Sequence, residues 1–138
     1  MNILFLCVAN SARSQIAEGL AKQILAGSAN IQSAGSKPGT QTHSLAIQVM
    51  NEIGIDISKQ NPKLVYDLNL ESFDLIITLC AEESCPVVSS KAKKLNWNLS
   101  DPANPEYDEA KRLDAFRNTR DEIKSLIQQL SRETTSRT

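Results

Sequence analysis

The 138-residue chain lacks the features of several protein classes. Its 15 basic and 16 acidic side chains give a net charge of −1, which argues against a nucleic-acid-binding or membrane-surface protein. No apolar run approaches the roughly 18 residues of a membrane span. The N-terminus has neither the basic segment nor the apolar core of a signal peptide. We therefore expect a cytoplasmic protein with a single domain over residues 1–138, of which residues 132–138 form a frayed tail.

Cysteine is also scarce, and the number of cysteines is odd: Cys7, Cys80 and Cys85. A cytosolic protein keeps its thiols reduced unless they are catalytic or redox-active. An odd number of thiols is more consistent with disulfide exchange than with a fixed disulfide framework. The spacing of Cys80 and Cys85 does not match the usual pattern of zinc ligands, so we expect neither a metal nor a cofactor.

Strand and helix patterns alternate along the chain. Strands are predicted at residues 2–7, 31–34, 74–79 and 94–99, and helices at 14–26, from Thr42 to about Glu52, and at 107–131. Such alternation implies right-handed crossovers and a parallel sheet. The predicted fold is an α/β three-layer sandwich, in which a four-stranded parallel sheet carries helices on both faces.

The segment after the first strand has the composition of an oxyanion-binding loop. Cys7 ends the strand, and Val8-Ala9-Asn10-Ser11-Ala12 separates it from Arg13 and Ser14 at the start of a helix. Successive N–H groups in such a loop can face inward and, with the helix N-terminus, bind an anion. Arg13 supplies a planar fork that matches two oxygens of a phosphate-like group. The same field favours the nucleophilic thiolate at Cys7.

Ser14 can donate a hydrogen bond to this thiolate, and its position also suits a helix cap. The spacing of Cys7 and Arg13 is a weak signal by itself, but the strand before it and the helix after it strengthen the interpretation. The alternative, in which Cys7 is only a buried core residue, leaves Arg13 unexplained. Glu18 either is solvated or orients the loop through Asn10.

Further candidate residues follow the third and fourth strands. Ligands of parallel α/β sheets bind beyond the carboxyl ends of the strands. Cys80 and Asp101 are both expected at that edge, and Cys85 lies five residues after Cys80. Asp101 suits a general acid, although Asp101-Pro102 is also a common turn pair. Either cysteine could be an inert thiol.

The segment from Cys80 to Cys85 is either a short helix or a loop. If it is helical, the Cα atoms of the two cysteines are roughly 8 to 9 Å apart, too far for a disulfide, and a bond between them would require the helix to unwind. We therefore predict that oxidation remodels residues 80–90.

These motifs resemble a known family. The run from Cys7 to Gly19 resembles the phosphate-binding loop of low-molecular-weight protein tyrosine phosphatases and of the arsenate reductases that share their fold. Four further motifs are similar to thioredoxin-coupled arsenate reductases in particular: Ser33-Ala34-Gly35, the run from Gly54 to Ser58, Thr78-Leu79-Cys80 with Cys85-Pro86, and Asp101-Pro102-Ala103. The resemblance covers residues 2 to about 131.

The resemblance implies that the enzyme reduces arsenate to arsenite through a three-cysteine relay. Cys7 attacks arsenic while Asp101 protonates the departing hydroxide. Cys80 then attacks Cys7, and Cys85 attacks Cys80, which leaves a disulfide for thioredoxin to reduce. The oxyanion, with phosphate and sulfate as analogues, would be held by the loop amides and side chains of Val8, Ala9, Asn10, Ser11, Ala12, Arg13 and Ser14. A monomer is expected, with no nucleic-acid or membrane partner.

The chain departs from this family pattern in three places. Cys80 and Cys85 are closer in sequence than is usual in the thioredoxin-coupled members, and Ala12 stands where many members carry another cysteine. Some relatives bind potassium through Asn, Glu, Ser and Asp side chains. Asn10, Glu18 and Ser33 match three of these ligands, but residues 61–67 offer no Asp at the matching place.

Two other functions remain open. One is a low-molecular-weight phosphatase, although Gln15 and Ala103 stand where phosphatases usually have proline and an aromatic residue. Aromatic residues make up only 4% of the chain, so few rings are available to grip phosphotyrosine. The other is a non-catalytic thiol protein that binds arsenite or an oxyanion.

Overall fold

The computed structural model describes residues 1–81 and 88–136. Four strands, β1 (Asn2–Cys7), β2 (Asn30–Gly35), β3 (Leu75–Cys80) and β4 (Lys93–Leu99), form one parallel sheet in the order β2-β1-β3-β4. Around it lie helices α1 (Arg13–Ile24), α2 (Ser44–Asn51) and α3 (Glu109–Ser136), and two 3-10 helices, Val65–Asp67 and Leu70–Ser72. The predicted α/β fold with a four-stranded parallel sheet is confirmed.

The two faces of the sheet carry different helical layers. Side chains alternate along a strand, so Ile3 and Phe5 of β1 face one side, where they pack with the buried residues of all three α-helices. Leu4 and Leu6 face the other side, where Val65 and its neighbours in the 3-10 segment cover them. Both faces are therefore covered by helices, as predicted.

Arg120 fastens α3 to the end of α2. The nearly buried guanidinium donates from Nη1 to the carbonyl oxygen of Val49 and to Glu52 Oε1, both at 2.8 Å. Arg117 also pairs with Glu52, at 2.6 Å. Hydrogen bonds from Arg117, and secondarily Arg120, hold the pKa of Glu52 below its ordinary value. The position of α2 is thus tied to the long helix that packs on the sheet.

Two expectations about the helix ends are corrected. Thr42 does not cap α2, because its hydroxyl donates to the Gln60 carbonyl at 2.7 Å, and His43 is the cap instead. Helix α3 continues to Ser136, so residues 132–136 of the expected frayed tail belong to the helix. No helix in the described ranges is long and apolar enough to cross a membrane.

Candidate active site

The loop of residues 8–12 leaves the sheet at the carboxyl end of β1. Strand β1 lies between β2 and β3. The connection after β1 leads to β2 on one side, and the connection after β2 returns across β1 to β3 on the other. Open α/β sheets bind ligands at such a reversal of direction. A cavity of about 240 Å³ opens there. It is lined by Cys7, by four residues of the loop, and by Arg13, Asp101 and Ala103.

Every carbonyl group of this loop is tied to a donor outside the loop. Val8 O, Ala9 O and Ser11 O accept backbone hydrogen bonds from the segment that follows β2, and the other two carbonyls accept bonds from α1. The five bonds are Lys37 N to Val8 O (2.9 Å), Gly39 N to Ala9 O (2.9 Å), Gln15 Nε2 to Asn10 O (2.9 Å), His43 N to Ser11 O (2.8 Å) and Ile16 N to Ala12 O (2.9 Å).

This arrangement turns the N–H groups of the loop toward the cavity. In a trans peptide the carbonyl of one residue and the N–H of the next point in opposite directions. No cis peptide occurs in the described ranges, so the five outward carbonyls leave the N–H groups of residues 9–13 facing inward. Five convergent donors at the start of a helix form an anion-binding nest.

Asn10 bends the loop and is held at three points. Its φ of 51° makes it the only non-glycine residue with positive φ among those that the structure describes. Its Oδ1 accepts from the Lys63 N–H at 2.9 Å, its Nδ2 donates to Ser14 Oγ at 2.7 Å, and its carbonyl accepts from Gln15. These bonds offset a backbone strain on the order of 1 kcal/mol.

The Asn10 bond orients the hydroxyl of Ser14. An amide nitrogen has only protons to give, so Ser14 Oγ accepts the bond from Asn10 with a lone pair. The same oxygen lies 2.9 Å from Cys7 Sγ, and either atom can donate across this contact. When Cys7 is a thiolate only Ser14 can donate, and its hydroxyl then stabilises the negative charge on the sulfur. Among the described residues no side chain caps α1, so Ser14 does not have the alternative capping role.

Gln60 extends this network away from the loop. Its Nε2 donates to both the carbonyl and the side-chain oxygen of the fully buried Gln15, at 3.0 and 2.9 Å. Because Gln15 Oε1 is engaged by this donor, its Nε2 is the end that faces the Asn10 carbonyl. The segment around residue 60 thereby helps to set the loop conformation.

Gly35, the last residue of β2, packs directly against the loop. A Cβ atom at this position would overlap the carbonyl oxygen of Val8 and would lie 3.0 Å from Cys7 O and from Asn10 N. These atoms belong to the backbone and cannot swing away. Only glycine therefore allows β2 to approach the loop this closely.

Arg13 and Asp101 meet at the end of β4. The buried Arg13 donates from Nη1 to the Leu99 carbonyl at 2.8 Å, and the same oxygen accepts from the Ala81 N–H at 3.1 Å. Asp101 follows two residues after Leu99 and lines the cavity with Arg13. Asp101 Oδ1 accepts from the Ala103 N–H at 2.9 Å. Asp101 therefore both forms a turn with the residues that follow it and lines the cavity.

Cys80 is buried at the end of β3, where the pairing with β4 shifts register between Thr78 and Cys80. Cys80 is disulfide-bonded and Cys7 is a free thiol. Cys85 lies outside the described residues. The predicted remodelling of residues 80–90 falls largely there and stays a prediction.

Glu18 has a different role from either one expected. It is buried and does not contact Asn10; its carboxylate accepts from Ser33 Oγ at 2.5 Å and from Lys22 Nζ at 2.7 Å. The potential potassium ligands are thus already engaged, because Asn10 Oδ1 also accepts a backbone N–H.

His43 links the loop to α2. Its Nδ1 accepts from the Leu45 N–H at 3.1 Å, and its ring lies 4.8 Å from the ring of Phe116, centroid to centroid. Burial lowers the pKa of His43, with nearby Asp101 raising it and Arg112 lowering it further. The acceptor role of Nδ1 requires the neutral ring, and the lowered pKa favours that form.

Sequence patterns identified Cys7, Arg13, Ser14 and Asp101, which the structure brings together, but missed the residues that brace the loop. Three of the donors lie in residues 37–43, predicted only as a turn-rich connection and the start of a helix. The glycine at position 35 was a signal of close packing. Gln60 and Lys63 act over long sequence separations and left no local signal.

The chain is similar to several known proteins. The family model of low molecular weight phosphotyrosine protein phosphatase matches residues 2–137. An arsenate reductase of Staphylococcus aureus (strain Newman) is 41% identical over 131 residues, which cover 91% of this chain and 92% of the relative.

Two solved structures are also similar. One is an arsenate reductase in the phosphate binding state, with a TM-score of 0.81 and 31% identity, covering 96% of this chain and 97% of the other. The second is a thioredoxin-dependent arsenate reductase of Corynebacterium glutamicum, with a TM-score of 0.75 and 28% identity, covering 99% of this chain and 63% of the other.

A cysteine beside a nest of inward N–H groups, closed by an arginine on a parallel α/β sheet, defines a class of proteins that bind tetrahedral oxyanions next to a thiol. Within that class, the chain belongs to the low molecular weight phosphotyrosine protein phosphatase family. Its sequence relatives in this family include arsenate reductases.

Replacing Gly35 is predicted to disrupt the oxyanion loop. Gly35→Ala would push the Val8 carbonyl out of place, and we expect phosphate affinity to fall by about tenfold or more, since small displacements of binding groups are costly. Isothermal calorimetry with phosphate measures this. Gly39→Ala is the matched control, because its Cβ would meet Ala9 O at an ordinary 3.9 Å. Equal affinities for the two variants would contradict the prediction.

His43 is predicted to make stability depend on pH. Its pKa is lowered in the fold, so its contribution is fully present above the unfolded value of about 6.5 and is lost as pH falls through the folded value. His43→Asn keeps a capping side chain that does not titrate. Between pH 7.5 and 5, urea unfolding should show a larger loss of free energy for the wild type. Parallel losses in both proteins would rule out this role of His43.

Proposed function

We propose that the protein reduces arsenate to arsenite through Cys7, Cys80 and Cys85, with thioredoxin as the electron donor. The observation that carries the proposal is a free Cys7 that shares one cavity with Arg13 and Asp101. A second cysteine, Cys80, ends the neighbouring strand. Support for the substrate and the donor comes from relatives named arsenate reductase and thioredoxin-dependent arsenate reductase.

In the first step the oxyanion occupies the loop and Cys7 attacks arsenic. The N–H groups of residues 9–13 and the Arg13 guanidinium bind the arsenate oxygens. The Cys7 thiolate forms a sulfur–arsenic bond, and Asp101 donates a proton so that the departing hydroxide leaves as water. Asp101 Oδ2 is the atom suited to carry this proton, because Oδ1 accepts from Ala103.

In the second step Cys80 attacks the sulfur of Cys7. Strands β1 and β3 are neighbours with Leu6 level with Thr78, so Cys80 lies one residue beyond the level of Cys7. Their Cα atoms are then on the order of 6 Å apart, within the Cα range of a disulfide. Alternation along the strands points the two side chains to opposite faces, so the bond requires a local movement of the backbone. The electron pair of the sulfur–arsenic bond passes to arsenic, which leaves as arsenite. A Cys7–Cys80 disulfide remains.

In the third step Cys85 attacks Cys80, which frees Cys7. The new disulfide joins Cys80 and Cys85, and the dithiol of thioredoxin reduces it. Two electrons thus pass from thioredoxin to arsenic, and one arsenate oxygen leaves as water. A free Cys7 with a disulfide-bonded Cys80 is the state that this order leaves before thioredoxin acts, and the structure has both features.

Phosphatase activity is the second candidate, because the family model is that of a phosphatase and the same loop would accept a phosphate monoester. The cavity wall argues for a minor role: Ala103, a small residue, stands beside Asp101 where an aromatic ring would grip phosphotyrosine. We therefore propose that any phosphatase activity is weak. The third candidate, a thiol protein that only binds the oxyanion, would show no turnover.

The relay predicts that Cys85→Ser stops after one turnover. Without Cys85 the Cys7–Cys80 disulfide cannot be passed outward, so the first arsenite is released and Cys7 stays blocked. The measurement is arsenate-dependent NADPH oxidation with thioredoxin and thioredoxin reductase, and wild type should turn over many times. Arsenite released per protein molecule should be about one for Cys85→Ser, as two-electron stoichiometry requires.

Each other outcome of this assay has a definite meaning. Equal multiple turnover by Cys85→Ser would contradict the relay and would point to a glutathione- or glutaredoxin-type donor. Phosphatase activity without arsenate-dependent NADPH oxidation would favour the second candidate. Arsenate binding with neither activity would favour the non-catalytic one.

A further inference from the structure

The segment that carries Asp101 is held mainly by its own local bonds. Residues 101–108, here the acid loop, connect β4 to α3. Besides the turn at Asp101, Asn104 Oδ1 accepts from the Glu106 N–H at 2.9 Å, and Asn104 O accepts from the Tyr107 N–H at 3.1 Å. Bonds between residues so close in sequence shape the loop, but they do not fix its position over the cavity.

Arg112 ties the acid loop to α3. This residue lies in the first turn of the helix, where its N–H donates to the Asp108 carbonyl at 2.9 Å. Its side chain reaches back along the loop, and Nη2 donates to the Tyr107 carbonyl at 2.7 Å, with a longer contact of 3.5 Å to the Asn104 carbonyl. These carbonyls belong to the part of the loop that follows Asp101.

Burying the guanidinium of Arg112 to make this contact is unfavourable in free energy. Its Nε is buried and has no hydrogen-bond partner among the described residues. Leaving a buried donor unsatisfied costs free energy, so such a group needs an explanation beyond stability. A requirement to hold the loop in one position provides that explanation.

The helix that carries Arg112 is a rigid base. Phe116, one turn further along α3, is fully buried in the core, and Arg120 fastens the same helix to α2. Both Arg112 and Asp101 act electrostatically on His43, whose N–H braces the Ser11 carbonyl of the oxyanion loop. The acid loop, α3 and the oxyanion loop therefore meet in one neighbourhood.

We propose that Arg112 is a positioning residue for Asp101: by holding the Tyr107 and Asn104 carbonyls to α3, it keeps the acid loop over the cavity so that the Asp101 carboxyl reaches the leaving oxygen. The inference rests on the general-acid role of Asp101 in the proposed function. Arg112 itself transfers no proton and does not line the cavity.

A double-mutant cycle tests the inference, with Arg112→Gln, Asp101→Asn and the double variant assayed for arsenate reduction with thioredoxin. We expect Asp101→Asn to lower kcat by about a hundredfold, as for loss of a general acid. Arg112→Gln should lower kcat by about tenfold with little change in KM, since it misplaces the acid and leaves the oxyanion loop intact. The double variant should be no slower than Asp101→Asn alone.

Two further variants separate positioning from a general loss of structure. Lys111→Gln removes the neighbouring cation, whose Nζ lies 4.6 Å from the centroid of the Tyr107 ring and which donates to neither loop carbonyl. It should keep wild-type kcat. Arg112→Lys retains a donor for the Tyr107 carbonyl and should recover part of the kcat lost in Arg112→Gln. If Arg112→Gln does not fold, Arg112→Lys replaces it in the double-mutant cycle.

The outcomes distinguish this inference from the proposed function. If Asp101→Asn lowers kcat and the double variant lowers it by the product of the two single fold-losses, the positioning role of Arg112 is overturned and the general-acid role of Asp101 remains. A raised KM at unchanged kcat for Arg112→Gln would also overturn it. Normal kcat in Asp101→Asn would overturn both. The same cycle on hydrolysis of phenyl phosphate, whose leaving group also needs a proton, applies if the protein is a phosphatase.

Discussion

The active site depends on the direction in which five carbonyl groups point. Residues 8–12 bind an anion only if their carbonyls turn away from the cavity, and each of them is turned by a donor outside the loop. A carbonyl that pointed inward would repel the oxyanion and would remove one N–H donor. The loop is therefore not self-sufficient: its shape is imposed by α1 and by the segment from Lys37 to His43.

This dependence explains why distant parts of the fold matter to the chemistry. Glycine at position 35 lets β2 lie against the loop. His43 donates to a loop carbonyl and also caps α2, so it connects the loop to the start of that helix. Arg120 in turn holds the end of α2 to α3. A chain of contacts thus runs from the loop beside the thiol through His43 and α2 to α3, and Arg112 ties the acid loop to the same helix.

The sequence patterns that succeeded were local ones. Apolar runs that end near Cys7, Cys80 and Leu99 predicted three strand ends at one edge, and the small residues before Arg13 predicted a loop between β1 and α1. Backbone donors from residues 37–43 could not be predicted, because any side chain can accompany a backbone N–H. The predictions for Glu18 were wrong for a related reason. A carboxylate on α1 has several possible partners, and only the fold shows that it accepts hydrogen bonds from Ser33 and Lys22.

The most direct test of this account is a titration of the protein with phosphate, followed through the amide signals of its NMR spectrum. If the carbonyls are braced outward, the N–H groups of residues 9–13 donate to the bound anion, and their signals should show the largest saturable shifts. The contradictory result would be shifts that saturate elsewhere in the chain while the signals of residues 9–13 stay in place.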